Sequence, residues 1–104
     1  MHVAIITFQL RQPYAAETHP GIHRLLSSGR HAPLGDNSFI FVSEMTLAQV
    51  CDQLRPHLVS GEHVFVFGAG RYFSYAADSA VAAAVEHLLP GVRADRREVP
   101  PPVG

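Results

Sequence analysis

The sequence predicts an α+β fold in which helices cover one face of an antiparallel sheet. Two short runs rich in aromatic and β-branched side chains, residues 39–42 and 64–67, have the composition of strands. Between them, Thr46 precedes apolar residues at helical spacing and Gln49 follows three positions later, which is the pattern of a capping box. Strand, capped helix and strand therefore follow one another over residues 37–70, and we expect the other elements to pack around this unit.

The first part of the chain supplies a strand, a helix and a hairpin. Residues 2–10 have the apolar pattern of a strand. Pro20 suits the first turn of a helix, and Gly29 is placed to close it as a C′ residue, where helices commonly turn left-handed. Residues 31–34 are interpreted as a short strand that turns back into the strand starting at residue 39.

The second part of the chain adds a third helix and a tail. Pro56 is expected to end or kink the second helix, because its ring clashes with the carbonyl four residues back. The third helix is predicted from about Ala76 to Leu89. Residues 1–91 are predicted to form one domain, and residues 92–104 form a polar, proline-rich tail. The tail is expected to be extended or disordered, or to add an edge strand.

These elements give the order β-α-β-β-α-β plus a C-terminal helix, which is the order of a ferredoxin-like plait. The strands of such a sheet normally alternate between apolar and polar residues. Here both faces are apolar, since Val3 and Ile5 alternate with Ile6 and Phe8. The third helix can cover part of the second face. A second copy of the chain is the more economical cover, so we predict a homodimer.

Composition excludes several classes of function. The net charge of −1 gives no general attraction to nucleic acid. All eight basic residues are arginines, which excludes Schiff-base chemistry and a P-loop lysine. The single cysteine, Cys51, is predicted to lie on the buried face of the second helix as a small core residue. With no long apolar run and no signal-peptide pattern, the sequence favours a cytoplasmic protein without a membrane span.

Five segments carry a resemblance to a known family: Ile5–Leu10, Leu25-Leu26, Ser38–Val42, Thr46–Leu54 and Glu62–Gly68. Over residues 1 to about 70, the chain resembles the CRISPR-associated "Cas-two" family and its small SinR-like relatives. The resemblance implies a ferredoxin-like homodimer. In nuclease members of that family, an aspartate near the end of the first strand binds a divalent metal at the dimer interface. The matching position here is Gln9.

A glutamine at this position argues against metal-dependent cleavage, because Mg²⁺ prefers carboxylate oxygens to a neutral amide. No catalytic residue, metal site or cofactor is therefore predicted. The resemblance also implies an adaptor role in which basic residues hold duplex DNA, and the candidates are Arg11, Arg24 and Arg30. The alternative is a divergent metal-dependent nuclease that takes its acids from Asp36 or Glu44.

Two other patterns are weighed against simpler explanations. Phe39 and Phe41 lie where an RNA-recognition motif has base-stacking aromatics, but neighbouring positions depart from that motif, which favours core or dimer-interface residues. His19 and His23 are spaced to share a metal ion, but no third ligand is evident, so they are interpreted as surface histidines.

A possible partner-binding cluster follows the glycines near residue 70. Residues 71–75 combine an arginine with three aromatic side chains in a predicted loop, which is the composition of a binding hot spot. The candidate partner-binding residues are Arg71, Tyr72 and Tyr75; alternatively, Phe73 and one tyrosine pack under the third helix. The sequence thus favours a non-catalytic dimeric adaptor that engages a protein or nucleic-acid partner.

Overall fold

The computed structural model of the protein describes residues 1–11, 19–70, 72–77, 79–90 and 93–100. Its elements, in chain order, are β1 (His2–Gln9), α1 (Pro20–Ser27), β2 (Arg30–Pro33), β3 (Ser38–Ser43), α2 (Leu47–Leu54), β4 (His63–Gly68), β5 (Tyr72–Ala77), α3 (Ser79–Leu88) and β6 (Arg93–Glu98). The first six elements confirm the predicted order of strands and helices.

Four strands form an antiparallel sheet in the order β2-β3-β1-β4. β1 lies inside the sheet, where Ile6 is paired with Phe39 of β3 on one side and with Val66 of β4 on the other. β4 is at the edge of this sheet and pairs with β1 alone among the described strands. The mixed α+β class of the protein is therefore established.

The second helix begins and ends where the sequence predicts. The Thr46 hydroxyl accepts a hydrogen bond from the Gln49 N–H at 3.2 Å, and the Gln49 side chain accepts one from the Thr46 N–H at 2.9 Å. This reciprocal pair confirms the capping box. α2 ends at Leu54, and a 3₁₀ turn that contains Pro56 follows it. Cys51 is only half-buried, so the prediction of a core position for it is too strong.

The first helix confirms one predicted end and corrects the reason for the other. Pro20 is its first residue, and the His19 Nδ1 atom caps it by accepting a hydrogen bond from the Gly21 N–H at 3.2 Å. Gly29 follows the C-cap residue Ser28, as predicted, but it has no positive φ. Among the glycines that the structure describes, Gly61 alone has one, at 91°. Gly29 is therefore not a left-handed cap.

Residues 72–77 form a strand, so the predicted loop is wrong over residues 72–75 and the predicted helix start near Ala76 is wrong. The side chains from Ser74 to Ala77 alternate between exposed and half-buried, which is the period of a strand. The alanines favoured the helical interpretation because alanine has the highest helix propensity. β5 pairs in parallel with β6 in a separate two-stranded sheet, so the tail does contain a strand, but this strand does not extend the main sheet.

Helices lie on both faces of the main sheet, which corrects the predicted one-sided arrangement and confirms that the third helix covers part of the second face. On the first face, α1 and α2 cover a core that includes Ala4, Ile6, Phe8, Phe39 and Phe41. On the second face, α3 packs its residues Val85 and Leu88 against Ile40 and Val42. The physical reason is the apolar character of both faces, because the second face also gains free energy when a helix removes it from water. α3 covers the β3 side of this face.

Candidate functional site

A groove of about 810 Å³ lies between α1, α2 and the end of β3. Its lining includes two of the three arginines predicted to bind nucleic acid, Arg24 of α1 and Arg30 of β2. These residues are six positions apart in the chain, and the turn between α1 and β2 brings both to the same groove. Arg30 pairs with Val42, whose side chain packs against α3, so the Arg30 side chain extends from the second face of the sheet, whereas Arg24 belongs to α1 on the first face.

The charges around the groove are unequal. Arg24 and Arg30 are exposed, and neither guanidinium has a hydrogen bond or an ion pair within the residues that the structure describes. The one carboxylate in the lining is Glu44, whose Oε2 atom lies 3.3 Å from the amino group of Met1. That amine offsets the charge of the carboxylate, and Arg24 of α1 adds an exposed positive charge beside the groove.

The floor of the groove combines apolar and polar groups. Leu25 is buried beneath it, with an exposed fraction of 9%, whereas the buried side chain of Val42 packs on the opposite face of the sheet. The Gln53 side chain and the His57 ring also line the groove, and both can donate hydrogen bonds. His57 packs closely on α1, since a Cβ placed on Gly21 would lie 2.2 Å from the His57 ring. The pattern of the sequence did not indicate Gln53 or His57, because each is an isolated polar residue.

The third predicted nucleic-acid residue, Arg11, is not part of this groove. Its guanidinium donates a hydrogen bond to the Ser60 carbonyl at 3.2 Å, and its backbone N–H donates one to the Glu62 carboxylate at 3.1 Å. The other Glu62 oxygen accepts a hydrogen bond from the Val59 N–H at 2.9 Å. Glu62 and Arg11 thus connect the end of β1 to the turn before β4.

The two backbone N–H groups hold the pKa of Glu62 below its ordinary value, with the Val59 N–H as the larger cause and that of Arg11 as the next. Because the pKa of Glu62 is lower in the folded state, its charged carboxylate stabilises the fold at pH values above the unfolded pKa. This stabilisation is lost as the pH falls through the folded pKa.

We expect Glu62→Gln to lower the free energy of unfolding at neutral pH. As the pH falls, the variant should lose less of this free energy than the wild type does. Urea denaturation of both proteins, at neutral pH and below the carboxyl range, measures this. The free energies of unfolding of the variant and the wild type should converge in acid. The same difference between these free energies at both pH values would contradict the role of the Glu62 charge.

A second candidate surface lies on β4. Phe65 and Phe67 point to the second face of the sheet, beyond the part that α3 covers, and their exposed fractions are 47% and 56%. Their rings are stacked, with centroids 6.3 Å apart and planes 12° from parallel. The sequence showed that both faces of this strand are apolar. It could not show which residues α3 would leave exposed, because that depends on where α3 packs.

The predicted partner-binding residues have different outcomes. Arg71 lies outside the described residues. Tyr72 begins β5, and Tyr75 is half-buried against the cluster formed with α3, where its hydroxyl is 3.5 Å from Glu86. Packing under the third helix was the alternative explanation for one tyrosine, and it applies to Tyr75. Partner binding by Arg71, Tyr72 and Tyr75 stays a prediction.

The alternative chemical sites receive no geometric support. Within the described parts of the chain, no group of three or more potential ligands from histidine, cysteine, aspartate and glutamate is found. Gln9 is exposed at the end of β1, and Glu44 is paired with the Met1 amine. Phe39 and Phe41 are each 1% exposed, which confirms them as core residues and leaves no face for base stacking.

Comparison of the chain with protein-family models, with curated proteins and with solved structures finds no match. Over the stretches that the structure describes, no helix has the length and apolar character needed to cross a membrane.

Proposed function

We propose that this protein is a non-catalytic binding protein that acts as a homodimer, built on a ferredoxin-like plait. The strand order β2-β3-β1-β4, with α1 and α2 packed together on one face, supports the plait. The predicted absence of catalysis rests on Gln9, whose neutral amide is a poor substitute for a metal-binding carboxylate.

The observation that carries the proposal is the exposed pair Phe65 and Phe67 on the edge strand β4. Burial of a phenylalanine side chain stabilises an association by about 1.5–3 kcal/mol when it is complete, so the pair is a substantial driving force. An edge strand also offers unpaired backbone groups to another strand. The unpaired backbone groups of two β4 strands can hydrogen-bond to each other across a two-fold axis, because such an interface uses the same surface of both copies.

The dimer is expected to serve as an adaptor for a protein or nucleic-acid partner. A protein partner would use the predicted residues Arg71, Tyr72 and Tyr75, and a nucleic acid would use Arg24 and Arg30. Tyr75 is half-buried, which leaves it a smaller contact surface than the sequence implied.

Simultaneous Phe65→Ser and Phe67→Ser substitution is expected to convert the dimer to a monomer of 11.3 kDa. Light scattering coupled to size exclusion, at micromolar concentration, measures the mass. The matched control is Val59→Ser, which removes an apolar side chain of 61% exposure outside this surface and should leave the dimer intact. A monomeric wild-type protein would refute the proposed dimer, and a dimeric double variant would place the interface elsewhere.

A further inference from the structure

A pocket of about 740 Å³, the α3 pocket, lies between the second face of the main sheet, α3 and β5. Val3, Ile5 and Ile40 line it from the sheet. The strand register agrees with this placement, because Ile5 pairs with Ile40, and Ile40 packs in the cluster that α3 covers. Val81 and Val85 line the pocket from α3, and both belong to the same apolar cluster. The lining side chains of the sheet and of α3 therefore face one another.

The chemistry of the lining favours an uncharged ligand. Among the described residues that line the α3 pocket, none carries a charged side chain: they are aliphatic residues and glycines, with the hydroxyl-bearing Ser74 and Tyr75. The groove between α1 and α2 differs, because Arg24 and Glu44 belong to its lining. Moving an ion out of water without an opposite charge is costly, whereas moving an apolar molecule out of water is favourable. The α3 pocket therefore discriminates against ions.

We propose that the α3 pocket binds a neutral, largely apolar small molecule. This inference goes beyond the adaptor function, because it requires neither a dimer nor a macromolecular partner. The volume of the pocket falls in the range of small-molecule sites. Val3, Ile5 and Val81 are only half-buried, so a ligand that covers them removes further apolar surface from water. Ordered water is a poor alternative occupant, because it usually makes about three hydrogen bonds and an aliphatic lining offers few.

The α3 pocket is separate from the proposed dimer surface. Phe67 pairs with Ile5 in the sheet, but neither Phe65 nor Phe67 lines the pocket. Replacing both phenylalanines with serine should therefore remove the dimer and leave ligand binding intact. The mass of the double variant and its affinity for the ligand report on the two proposals independently.

Titration of the full chain into the fluorescent probe N-phenyl-1-naphthylamine tests the proposal. This probe is neutral, and 8-anilino-1-naphthalenesulfonate has the same rings with an added sulfonate, so the two differ in charge. The neutral probe should bind about tenfold more tightly or better, because the pocket offers the sulfonate no opposite charge. Val81→Phe adds a ring inside the pocket and should weaken binding of the neutral probe by about tenfold or more. Val59→Phe makes the same change at an exposed site outside the lining and should bind as the wild type does.

A second measurement locates the probe in the wild-type protein, so it does not depend on the folding of a variant. Nuclear Overhauser effects are expected between the protons of the neutral probe and the methyl groups of Ile5, Val81 and Val85, which line the pocket from both sides. Circular dichroism shows whether Val81→Phe folds. If this variant does not fold, the Overhauser contacts decide the location of the probe.

Three results would overturn the proposal. The first is the absence of binding by the neutral probe at protein concentrations up to about 1 mM, the scale of weak specific binding. The second is binding that a folded Val81→Phe variant retains, or Overhauser contacts confined to residues outside the lining. Loss of binding in the double phenylalanine variant alone would place the probe on β4 instead. The third is equal affinity for the neutral probe and the sulfonate, which would contradict an uncharged site.

Discussion

Phe39→Ala is expected to lower the free energy of unfolding by about 3–5 kcal/mol, the range for removing a buried aromatic ring. Phe39 is 1% exposed, and its ring packs edge-on against Phe8 with centroids 6.2 Å apart and against His31 with centroids 6.4 Å apart. A small domain has a total stability of about 5–15 kcal/mol, so this loss is a large share of it. The cavity would lie between the sheet and the α1–α2 layer.

Urea denaturation followed by circular dichroism measures this effect. Val59→Ala is the control, because Val59 is 61% exposed and its truncation should change stability by less than about 0.5 kcal/mol. If Phe39 instead stacked on RNA bases, its replacement would weaken RNA binding and leave the denaturation midpoint near that of the wild type. That outcome would contradict the placement of Phe39 in the core.

The parts of the fold that follow from local signals could be predicted from the sequence. The capping box at Thr46 and Gln49 and the proline at position 20 each act within a few residues, so the chain carries them without reference to the rest of the fold. The runs at residues 39–42 and 64–67 are rich in aromatic and β-branched side chains, which favour strands. These signals agree with one another, and agreement across levels is typical of sequences that specify one structure.

The remaining part of the fold depends on packing that the sequence does not encode locally. Residues 72–77 form a strand because they pair with β6, about twenty residues further along the chain. α3 covers Ile40 and Val42 but leaves Phe65 and Phe67 exposed, and no periodic pattern distinguishes these two pairs. The predictions were therefore wrong where the structure depends on long-range strand pairing or on the placement of a helix.

The candidate groove also combines features that the sequence predicts with features that depend on the three-dimensional structure. Arginine suits anions, and the family resemblance together with charge predicts Arg24 and Arg30, alongside Arg11, as nucleic-acid-binding residues. The sequence could not separate them from Arg11, which differs by one hydrogen bond to the Ser60 carbonyl and by its distance from the groove lining. The availability of a charged side chain depends on its neighbours in three dimensions, and those neighbours are distant in the sequence.

Gly29→Ala is expected to destabilise the protein by about 1–3 kcal/mol, the usual cost of forcing extra atoms into a packed site. A Cβ at this position would lie 2.6 Å from the Val42 carbonyl oxygen and 2.9 Å from the Phe41 ring. Neither atom can yield easily, because Val42 lies in β3, which is paired with β1 on one side and β2 on the other, and Phe41 is 1% exposed. Gly35→Ala is the matched control, since nothing lies within 4 Å of its Cβ position, and it should keep or slightly raise stability.

A second variant, Gly29→Asn, separates contact from backbone conformation as the reason for this glycine. Asparagine is tolerated in left-handed caps, so a left-handed Gly29 would make Gly29→Asn milder than Gly29→Ala. The structure gives Gly29 no positive φ and places β3 against it, so the larger asparagine side chain should cost more than alanine does. The order of the two denaturation midpoints decides between these explanations, and a higher midpoint for Gly29→Asn than for Gly29→Ala would contradict the close approach of Gly29 to β3.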